Sequence, residues 1–170
     1  ITVVIPVYNG EKWLDDTIRS VKRQTVRPSR IIAVDDGSDD KSKDIVRSFS
    51  EVELIQTNHE GGNGPGVARR YGWKQVDASF VVFLDQDDLW HPTHLQTLKS
   101  VLKESPSYPV AFSETTRFQA ASEPEFNTIS EEVHEFDPWE YFPRNRIPTP
   151  SSALIRNAAL ERIGGWPSDY

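Results

Sequence analysis

Three carboxylates follow directly on an apolar segment of the chain. Asp85, Asp87 and Asp88 come within four residues after the apolar residues 81–84. Carboxylates this close repel one another unless a cation or hydrogen-bond donors compensate them, and Mg²⁺ and Mn²⁺ prefer oxygen ligands. The spacing therefore indicates a metal site for a phosphorylated ligand. Taken alone, the stretch is also compatible with a solvated turn in which an Asp caps the following helix.

Two earlier apolar segments end in a similar way, in polar groups and a turn signal. Residues 1–8 form a β-rich run that ends at Asn9-Gly10, and residues 30–34 run into Asp35 and Asp36. Ligands of open α/β sheets bind beyond the carboxyl ends of the strands, so these groups are predicted to line one crevice. An aromatic ring can stack on a base, a carboxylate can accept from a base N–H, and an acid pair can hold the metal of a diphosphate. The groups that fit a nucleoside diphosphate are Tyr8, Glu11, Asp35, Asp85 and Asp87, with Arg69 at the side.

The elements that would position these groups alternate between strand and helix. Leu14, Ile18 and Val21 repeat at helical spacing, and the order over residues 1–112 is β-α-β-α-β-loop-α-β-α-β. This order predicts an α/β fold with a mostly parallel open sheet and helices on both faces. Ser38 is predicted as the N-cap of the second helix. The glycine-rich residues 61–66 precede a helix predicted to begin near Val67, and such loops can hold phosphates, although this one lacks a P-loop ending.

The second half of the chain is less regular. Residues 113–150 show no clear pattern, and the seven acids between Glu123 and Glu140 occur without any Lys or Arg. We expect a solvated flap there, with a substrate-selecting lid as the alternative. Order returns with a strand near residues 152–155 and a helix capped by Gly164-Gly165. The prediction is one domain: residues 1–112 bind nucleotide, 113–150 form an acidic insertion, and 151–170 begin an acceptor-side part of a chain truncated at its C-terminus.

Composition limits the class of protein. A net charge of −7 argues against nucleic acid as a partner, and no apolar stretch approaches the roughly 18 residues of a membrane span. The absence of cysteine excludes disulfides and thiolate catalysis and fits a reducing compartment. We therefore expect a cytoplasmic protein, either free or peripheral to a membrane.

Taken in order, five motifs of the chain match one enzyme family. The chain resembles family 2 glycosyltransferases with the GT-A fold. The matching segments are residues 4–9 (VIPVYN), 34–40 (VDDGSDD), 68–72 (ARRYG), 83–88 (FLDQDD) and 164–166 (GGW). Each motif is weak alone, but together they cover almost the whole sequence.

The resemblance implies inverting transfer of a sugar from a nucleoside-diphosphate donor, with a UDP-sugar favoured, to a saccharide, lipid or other hydroxyl acceptor. It also implies Mn²⁺ or Mg²⁺ as cofactor. Asp87 is the first choice for the metal, with Asp85 and Asp88 as further ligands. Arg69 matches the arginine of the family's Ala-Arg-Asn motif, but Arg70 replaces the Asn, which leaves open which arginine acts. The donor-binding residues implied by motif match are Pro6, Val7, Tyr8, Asn9, Glu11, Asp35, Arg69, Asp85, Gln86 and Asp87.

The catalytic base is the group that the resemblance does not assign within the sequence. In the family it is an Asp of a Glu-Asp pair that follows the Gly-Gly-aromatic segment, so we expect it beyond Tyr170, with Asp169 a weaker candidate. His91 and His94 are expected to be structural rather than metal ligands. Trp166 could meet an acceptor sugar or close the core.

Other functional classes share parts of this pattern. A receiver-like switch has an acidic pair and a later Asp at strand ends, but here the pair follows the second strand and no Lys occurs after Lys103. A phosphatase with Asp85 as nucleophile would leave Asp35 and the glycine-rich loop unused. A nucleotide-sugar-binding module without turnover is the alternative that the sequence leaves open.

Overall fold

A mixed six-stranded sheet forms the centre of the protein. The computed structural model describes residues 1–57, 62–115 and 149–167. The strands are β1 (Thr2–Val7), β2 (Arg30–Asp35), β3 (Val52–Gln56), β4 (Phe80–Phe83), β5 (Val110–Phe112) and β6 (Ala153–Arg156). They lie in the order β3-β2-β1-β4-β6-β5, with β1 to β4 parallel and β6 antiparallel to both of its neighbours. The predicted mostly parallel α/β sheet is confirmed.

Helices cover both faces of this sheet, as predicted. They are α1 (Leu14–Lys22), α2 (Ser42–Arg47), α3 (Pro65–Trp73), α4 (His94–Glu104) and α5 (Asn157–Arg162). Successive strand residues point to opposite faces. Val3 and Ile5 accordingly pack in the cluster that contains the apolar residues of α1, α2 and α4, whereas Val4 packs with residues of α3 and α5. Because both faces are buried, the polar groups that could bind a ligand are left at the strand ends.

The predicted helix limits need two corrections. Ser38 is not a helix N-cap, because α2 begins only at Ser42. The Ser38 hydroxyl instead accepts a hydrogen bond from the backbone N–H of Asn9 at 3.0 Å, and Asp40 accepts from the N–H of Ser42 at 2.9 Å. Helix α3 begins at Pro65, two residues before Val67, because the fixed φ of proline suits the first helical position.

The end of α5 follows the sequence prediction. Gly164 and Gly165 have φ angles of +82° and +98°, and the N–H of Gly165 donates to the carbonyl of Leu160 at 2.8 Å. Left-handed residues of this kind end helices and favour glycine. The acidic stretch from Glu123 to Glu140 lies outside the described residues. Within the described ranges, the helices are too short or too polar to cross a membrane.

Candidate functional site

The loop after β1 is held against the end of β4 by one glutamine. The amide of Gln86 accepts from the backbone N–H of Tyr8 at 2.9 Å and donates to the carbonyl of Tyr8 at 3.0 Å. A Cβ added to Gly10 would lie 2.4 Å from the Gln86 side-chain oxygen, so any larger residue there would displace the Gln86 amide. Gln86 therefore lies at the predicted crevice, but its amide is engaged with the protein itself.

The same loop is also bonded to the segment that follows β2. Asn9, at φ 50°, accepts through its side chain from the N–H of Asp39 at 3.0 Å, and Glu11 accepts from the N–H of Lys41 at 3.1 Å. Pro6 and Val7 lie in β1, beside Val34 and Asp35 of β2. These four predicted donor residues (Pro6, Val7, Asn9 and Glu11) thus shape the loop around Tyr8. The side chain of Tyr8 is 47% exposed, and it is placed where it could stack on a ligand.

The two neighbouring carboxylates at the end of β2 have different environments. Asp36 accepts from the Thr57 hydroxyl at 2.7 Å and from the N–H groups of Asn63 and Gly64. It therefore anchors the glycine-rich loop. Asp35 is fully buried, and neither of its carboxylate oxygens has a hydrogen-bond partner in the part of the chain that the structure describes. A buried carboxylate without donors is costly, and of the two carboxylates only Asp35 has unused capacity to accept hydrogen bonds in the described structure.

The sequence analysis missed a cation beside Asp35. The ammonium nitrogen of Lys43, on α2, lies 3.9 Å from a carboxylate oxygen of Asp35. Lys41 and Lys43 are the first basic residues after the acids of residues 35–40, which was the available signal. Only the placement of α2 distinguishes the lysine that turns toward Asp35 from the one that points to solvent.

The acids at the end of β4 form a more open group. The Asp85 side chain is 29% exposed and pairs with the guanidinium of Arg69, while Asp87 is exposed. Burial raises the pKa of the Asp88 carboxyl above its ordinary value; a hydrogen bond with Ser151 opposes this effect, and the charges of Asp85 and Asp87 add to it. The positive charge of Arg69 thus offsets part of the negative charge in this group, and the remaining repulsion adds to the rise in the pKa of Asp88.

The two adjacent arginines, Arg69 and Arg70, make different contacts. Arg69 is buried, pairs with Asp85 and lies over the ring of Trp166, with 5.4 Å between the guanidinium carbon and the ring centroid. Its Nε is buried and has no hydrogen-bond partner among the described residues. Arg70 instead donates to the carbonyls of Gly164 and Trp166, at 3.2 Å and 2.9 Å. Arg69 is therefore the arginine that reaches the crevice.

His94 and Trp166 pack on buried aromatic side chains of the protein. His94 is buried and stacks on Trp90 with ring centroids 4.8 Å apart, and burial lowers its pKa to about 4. Trp166 packs on Phe83 at a centroid distance of 4.4 Å, which supports the core-closing interpretation. Asp169 lies outside the described residues.

The acids of the β4 end fit a divalent cation only in combination with a ligand. No cluster of three or more His, Cys, Asp or Glu side chains arranged for a metal occurs in residues 1–57, 62–115 and 149–167. Mg²⁺ is commonly bound by one or two carboxylates together with phosphate oxygens and water. Asp85 and Asp87 could supply the two carboxylates, and a diphosphate would complete the site.

The fold and the acidic strand ends agree with the comparisons with known proteins. A sequence profile of "Glycosyl transferase family 2" matches residues 2–164, so the chain belongs to this family. This confirms the predicted family and decides against the receiver-like and phosphatase alternatives.

The related sequences are named as glycosyltransferases or glucosyltransferases. An uncharacterized glycosyltransferase of Rickettsia conorii is 32% identical over 105 residues, which are 62% of this chain and 17% of that protein. One from Nostoc is 36% identical over 107 residues, 62% of this chain and 33% of that protein. The Escherichia coli protein named UDP-Glc:alpha-D-GlcNAc-diphosphoundecaprenol beta-1,3-glucosyltransferase WfgD is 29% identical, over 64% of this chain and 43% of its own length. The chain thus spans less than half the length of these curated relatives.

Solved structures confirm the fold. TarS 1–349 of S. aureus in complex with UDP superposes with a TM-score of 0.78 at 23% identity, covering 99% of this chain and 50% of that chain. The mannosyltransferase PcManGT of Pyrobaculum calidifontis, in complex with GDP-Man and Mn²⁺, has a TM-score of 0.73 at 19% identity, covering 99% of this chain and 47% of that chain. The GT-A fold expected from the sequence is therefore the fold of this protein.

Proposed function

We propose that the crevice at the ends of β1, β2 and β4 binds a nucleoside-diphosphate sugar, with a UDP-sugar preferred, for inverting and metal-dependent transfer to an acceptor hydroxyl. The observation that carries this proposal is Asp35, a buried carboxylate without hydrogen-bond partners at a strand end of a family 2 glycosyltransferase fold. An N–H donor from a nucleobase would satisfy it.

The base pocket in this proposal lies between the loop after β1 and the end of β2. The exposed ring of Tyr8 stacks on the base while Asp35 accepts from a base N–H. Asp35 is closed to solvent, so a neighbouring group must move when a base enters. We expect this of the loop at Gly62, because this loop lies against the Tyr8 ring: a Cβ on Gly62 would be 3.1 Å from the ring carbons.

The diphosphate in this proposal lies over the end of β4. Asp85 and Asp87 would hold a divalent cation together with the diphosphate, and such a cation would supply positive charge against the leaving nucleotide. Arg69 donates to a phosphate oxygen, for which its unpartnered Nε leaves capacity. The general base acts on the opposite side of the sugar carbon, so metal-bound carboxylates are poor candidates for it. We expect it in the acidic pair that family members carry after the Gly-Gly-aromatic segment.

The preference for uridine rests on what known relatives bind. TarS has been solved with UDP and with UDP-GlcNAc, and the Escherichia coli relative is named for UDP-Glc. PcManGT, solved with GDP-Man, shows that this fold also serves a guanosine nucleotide. Uracil and guanine both present a ring N–H, which a carboxylate such as Asp35 could accept.

A thermal-shift screen tests the proposal. The protein is heated with UDP, CDP, GDP, ADP and the corresponding sugar nucleotides, each with Mn²⁺ and with EDTA. A ligand that binds only the folded state adds about 2.7 kcal/mol of apparent stability at a hundredfold excess over its Kd. Stabilisation by UDP or a UDP-sugar that depends on Mn²⁺ is expected. No stabilisation by any nucleotide would contradict the proposed function, and a larger effect of an adenine nucleotide would contradict the base assignment.

A further inference from the structure

Gln86 provides the hydrogen bonds between two segments of the candidate site, the loop after β1 (residues 8–11) and the acidic turn (residues 85–88). Its carboxamide accepts from the Tyr8 N–H at 2.9 Å and donates to the Tyr8 carbonyl at 3.0 Å. In the described part of the chain, these are the hydrogen bonds that join the two segments. Because Gln86 belongs to the acidic turn, its side chain sets the position of Tyr8 relative to the carboxylates of that turn.

The sequence of β1 explains why a side chain makes this connection. Backbone pairing of β1 with β4 reaches the bond from the Leu84 N–H to the carbonyl of Val4, at 2.9 Å. Pro6, two residues further along β1, has no N–H with which to continue the ladder on this side. Beyond the proline, the Gln86 carboxamide presents a donor and an acceptor to Tyr8, as a neighbouring strand would.

Each segment also has anchors that do not involve this carboxamide. The Thr17 hydroxyl donates to the backbone carbonyl of Gln86 at 2.7 Å, and the Ser151 hydroxyl accepts from the N–H of Asp85 at 3.0 Å. The loop after β1 keeps its bonds to the segment that follows β2. Loss of the carboxamide is therefore expected to free the two segments from each other without detaching either of them from the protein.

We propose that Gln86 is a positioning residue whose carboxamide fixes the spacing between the base site at Tyr8 and Asp35 and the metal site at Asp85 and Asp87. This inference rests on the proposed function, because it assumes that one nucleotide occupies both sites. A ligand that binds two sites gains affinity from the linkage only when the sites are held at the matching distance. In this role Gln86 acts through Tyr8 and needs no contact with the donor, unlike the donor-binding role that the motif match implies.

The variant Gln86→Ala tests the inference when the ligand is offered whole and in parts. Calorimetry measures the binding of uridine and of UDP, the latter with Mn²⁺ and with EDTA, and electron paramagnetic resonance measures the binding of Mn²⁺ alone. Uridine, Mn²⁺ alone and UDP with EDTA are expected to keep their wild-type affinities within about twofold, because each site keeps its own anchors. The gain in UDP affinity from Mn²⁺ over EDTA is expected to fall about tenfold, the order of two lost hydrogen bonds.

The variant Gly10→Ala reaches the same hydrogen bonds from the opposite side. A Cβ at Gly10 would lie 2.4 Å from the side-chain oxygen of Gln86 and 2.7 Å from the carbon that carries it. The end of a glutamine side chain can move, so the added methyl group is expected to displace the amide and lower the Mn²⁺ gain as Gln86→Ala does. Added to Gln86→Ala, which has no amide to displace, it is expected to change nothing further. The single variant Gly10→Ala gives the answer if Gln86→Ala does not fold.

Gln96 provides a matched control. It is also a glutamine whose side chain bonds to a distant segment, since it accepts from the Thr25 hydroxyl at 2.7 Å. This bond joins α4 to the segment after α1 and does not involve the loop after β1 or the acidic turn. Gln96→Ala is therefore expected to keep the wild-type gain in UDP affinity from Mn²⁺.

The outcomes distinguish this inference from the proposed function. It would be overturned by a Mn²⁺ gain that stays intact in Gln86→Ala, or by an additive effect of Gly10→Ala. Equal weakening of UDP with and without Mn²⁺ would overturn it too, because Gln86 would then act on the nucleotide or the base site alone. Loss of affinity for Mn²⁺ alone would show that Gln86 supports only the acids. Wild-type protein that binds no UDP, or binds it no more tightly with Mn²⁺, would overturn the proposed function itself.

Discussion

The ends of β2 and β4 are alike in sequence and different in structure. Both are apolar strands that run into aspartates, but Asp35 is fully enclosed while the Asp85 side chain is 29% exposed and Asp87 lies in solvent. Lys43 stays 3.9 Å from Asp35 without a hydrogen bond, whereas Arg69 pairs directly with Asp85. An enclosed carboxylate suits one directional bond from a base. An open pair can exchange an arginine for a hydrated cation.

The two strand ends are joined by the loop after β1. Its backbone bonds to Gln86 on the β4 side through Tyr8 and to Ser38 on the β2 side through Asn9. Each end can nevertheless be altered by a side-chain change that leaves these backbone contacts intact. The comparison therefore predicts separable effects: changes at β4 alter the metal dependence of binding, and changes at β2 alter the recognition of the base.

The largest expected effect concerns the metal. Asp87→Asn removes a charged ligand oxygen while keeping the shape of the side chain, so the gain in UDP affinity from Mn²⁺ over EDTA should fall by roughly 100-fold. The basis is that outer-shell changes at metal sites alone cost roughly 10–100-fold. Calorimetry with and without Mn²⁺ measures the gain. Asp39→Asn, an exposed acid after β2, serves as the control and should keep it. Equal UDP affinity with and without metal in wild-type protein would contradict the metal assignment.

The next effect concerns the base. Asp35→Ala should weaken UDP and uridine alike, by about 1.5–3 kcal/mol, because both ligands lose the same charge-assisted hydrogen bond. Calorimetry on the two ligands measures this, with thermal unfolding as a check that the variant is folded. If UDP were weakened while uridine was untouched, Asp35 would belong with the phosphate and metal groups, and the contrast between the strand ends would be wrong.

A third effect, on stability, is specific to the β4 side. Burial lowers the pKa of His94 to about 4, so the folded protein holds this histidine neutral at a pH where the unfolded chain protonates it. Its contribution to the free energy of unfolding is present above the unfolded value of about 6.5 and is lost as pH falls toward 4. Between pH 7 and pH 5 the loss should be about 1–2 kcal/mol, and His94→Phe, which keeps an aromatic ring against Trp90, should remove it.

Urea unfolding at the two pH values measures this difference. Wild-type protein and His94→Phe are compared at each pH, so that the carboxylates, which titrate in both proteins, cancel. Identical pH dependence in the two proteins would show that His94 is protonated in the folded state without cost, and that the β4 side is looser than the structure shows.

Local patterns in the sequence predicted the fold and the strand ends at which the candidate residues lie. Four of the five strands on which the prediction rested pair in parallel, and the buried stripe of Leu14, Ile18 and Val21 appears as predicted. Ser38 was misjudged because a serine after a strand suits an N-cap and a loop bond equally. The sequence could not distinguish Arg69 from Arg70 either, because they are adjacent residues of the same type. Only the packing of α3 against the sheet decides that one faces Asp85 and the other the carbonyls of Gly164 and Trp166.

The contact between Lys43 and Asp35 could not be predicted from the sequence, for a physical reason. Lys43 reaches Asp35 because the loop of residues 36–41 turns α2 back toward the end of β2, and that turn is fixed by bonds to Asn9 and Glu11 from another segment. Helical periodicity says which face of α2 is buried, but it does not say what lies opposite a charged residue at its start. Long-range hydrogen bonds carry that information.

The smallest expected effect tests whether Arg69 competes with the metal for Asp85. Arg69→Met removes the cation that now pairs with Asp85, so Mn²⁺ alone, without nucleotide, should bind a few-fold more tightly. Arg70→Met removes the same charge from the next residue, whose guanidinium donates to the carbonyls of Gly164 and Trp166, and should leave Mn²⁺ affinity unchanged. Electron paramagnetic resonance of free Mn²⁺ measures both. An equal gain in Mn²⁺ affinity in the two variants would reflect the change in net charge alone. No gain in either variant would mean that Asp85 is not a metal ligand. Asp87 would then be left to bind the cation together with the diphosphate.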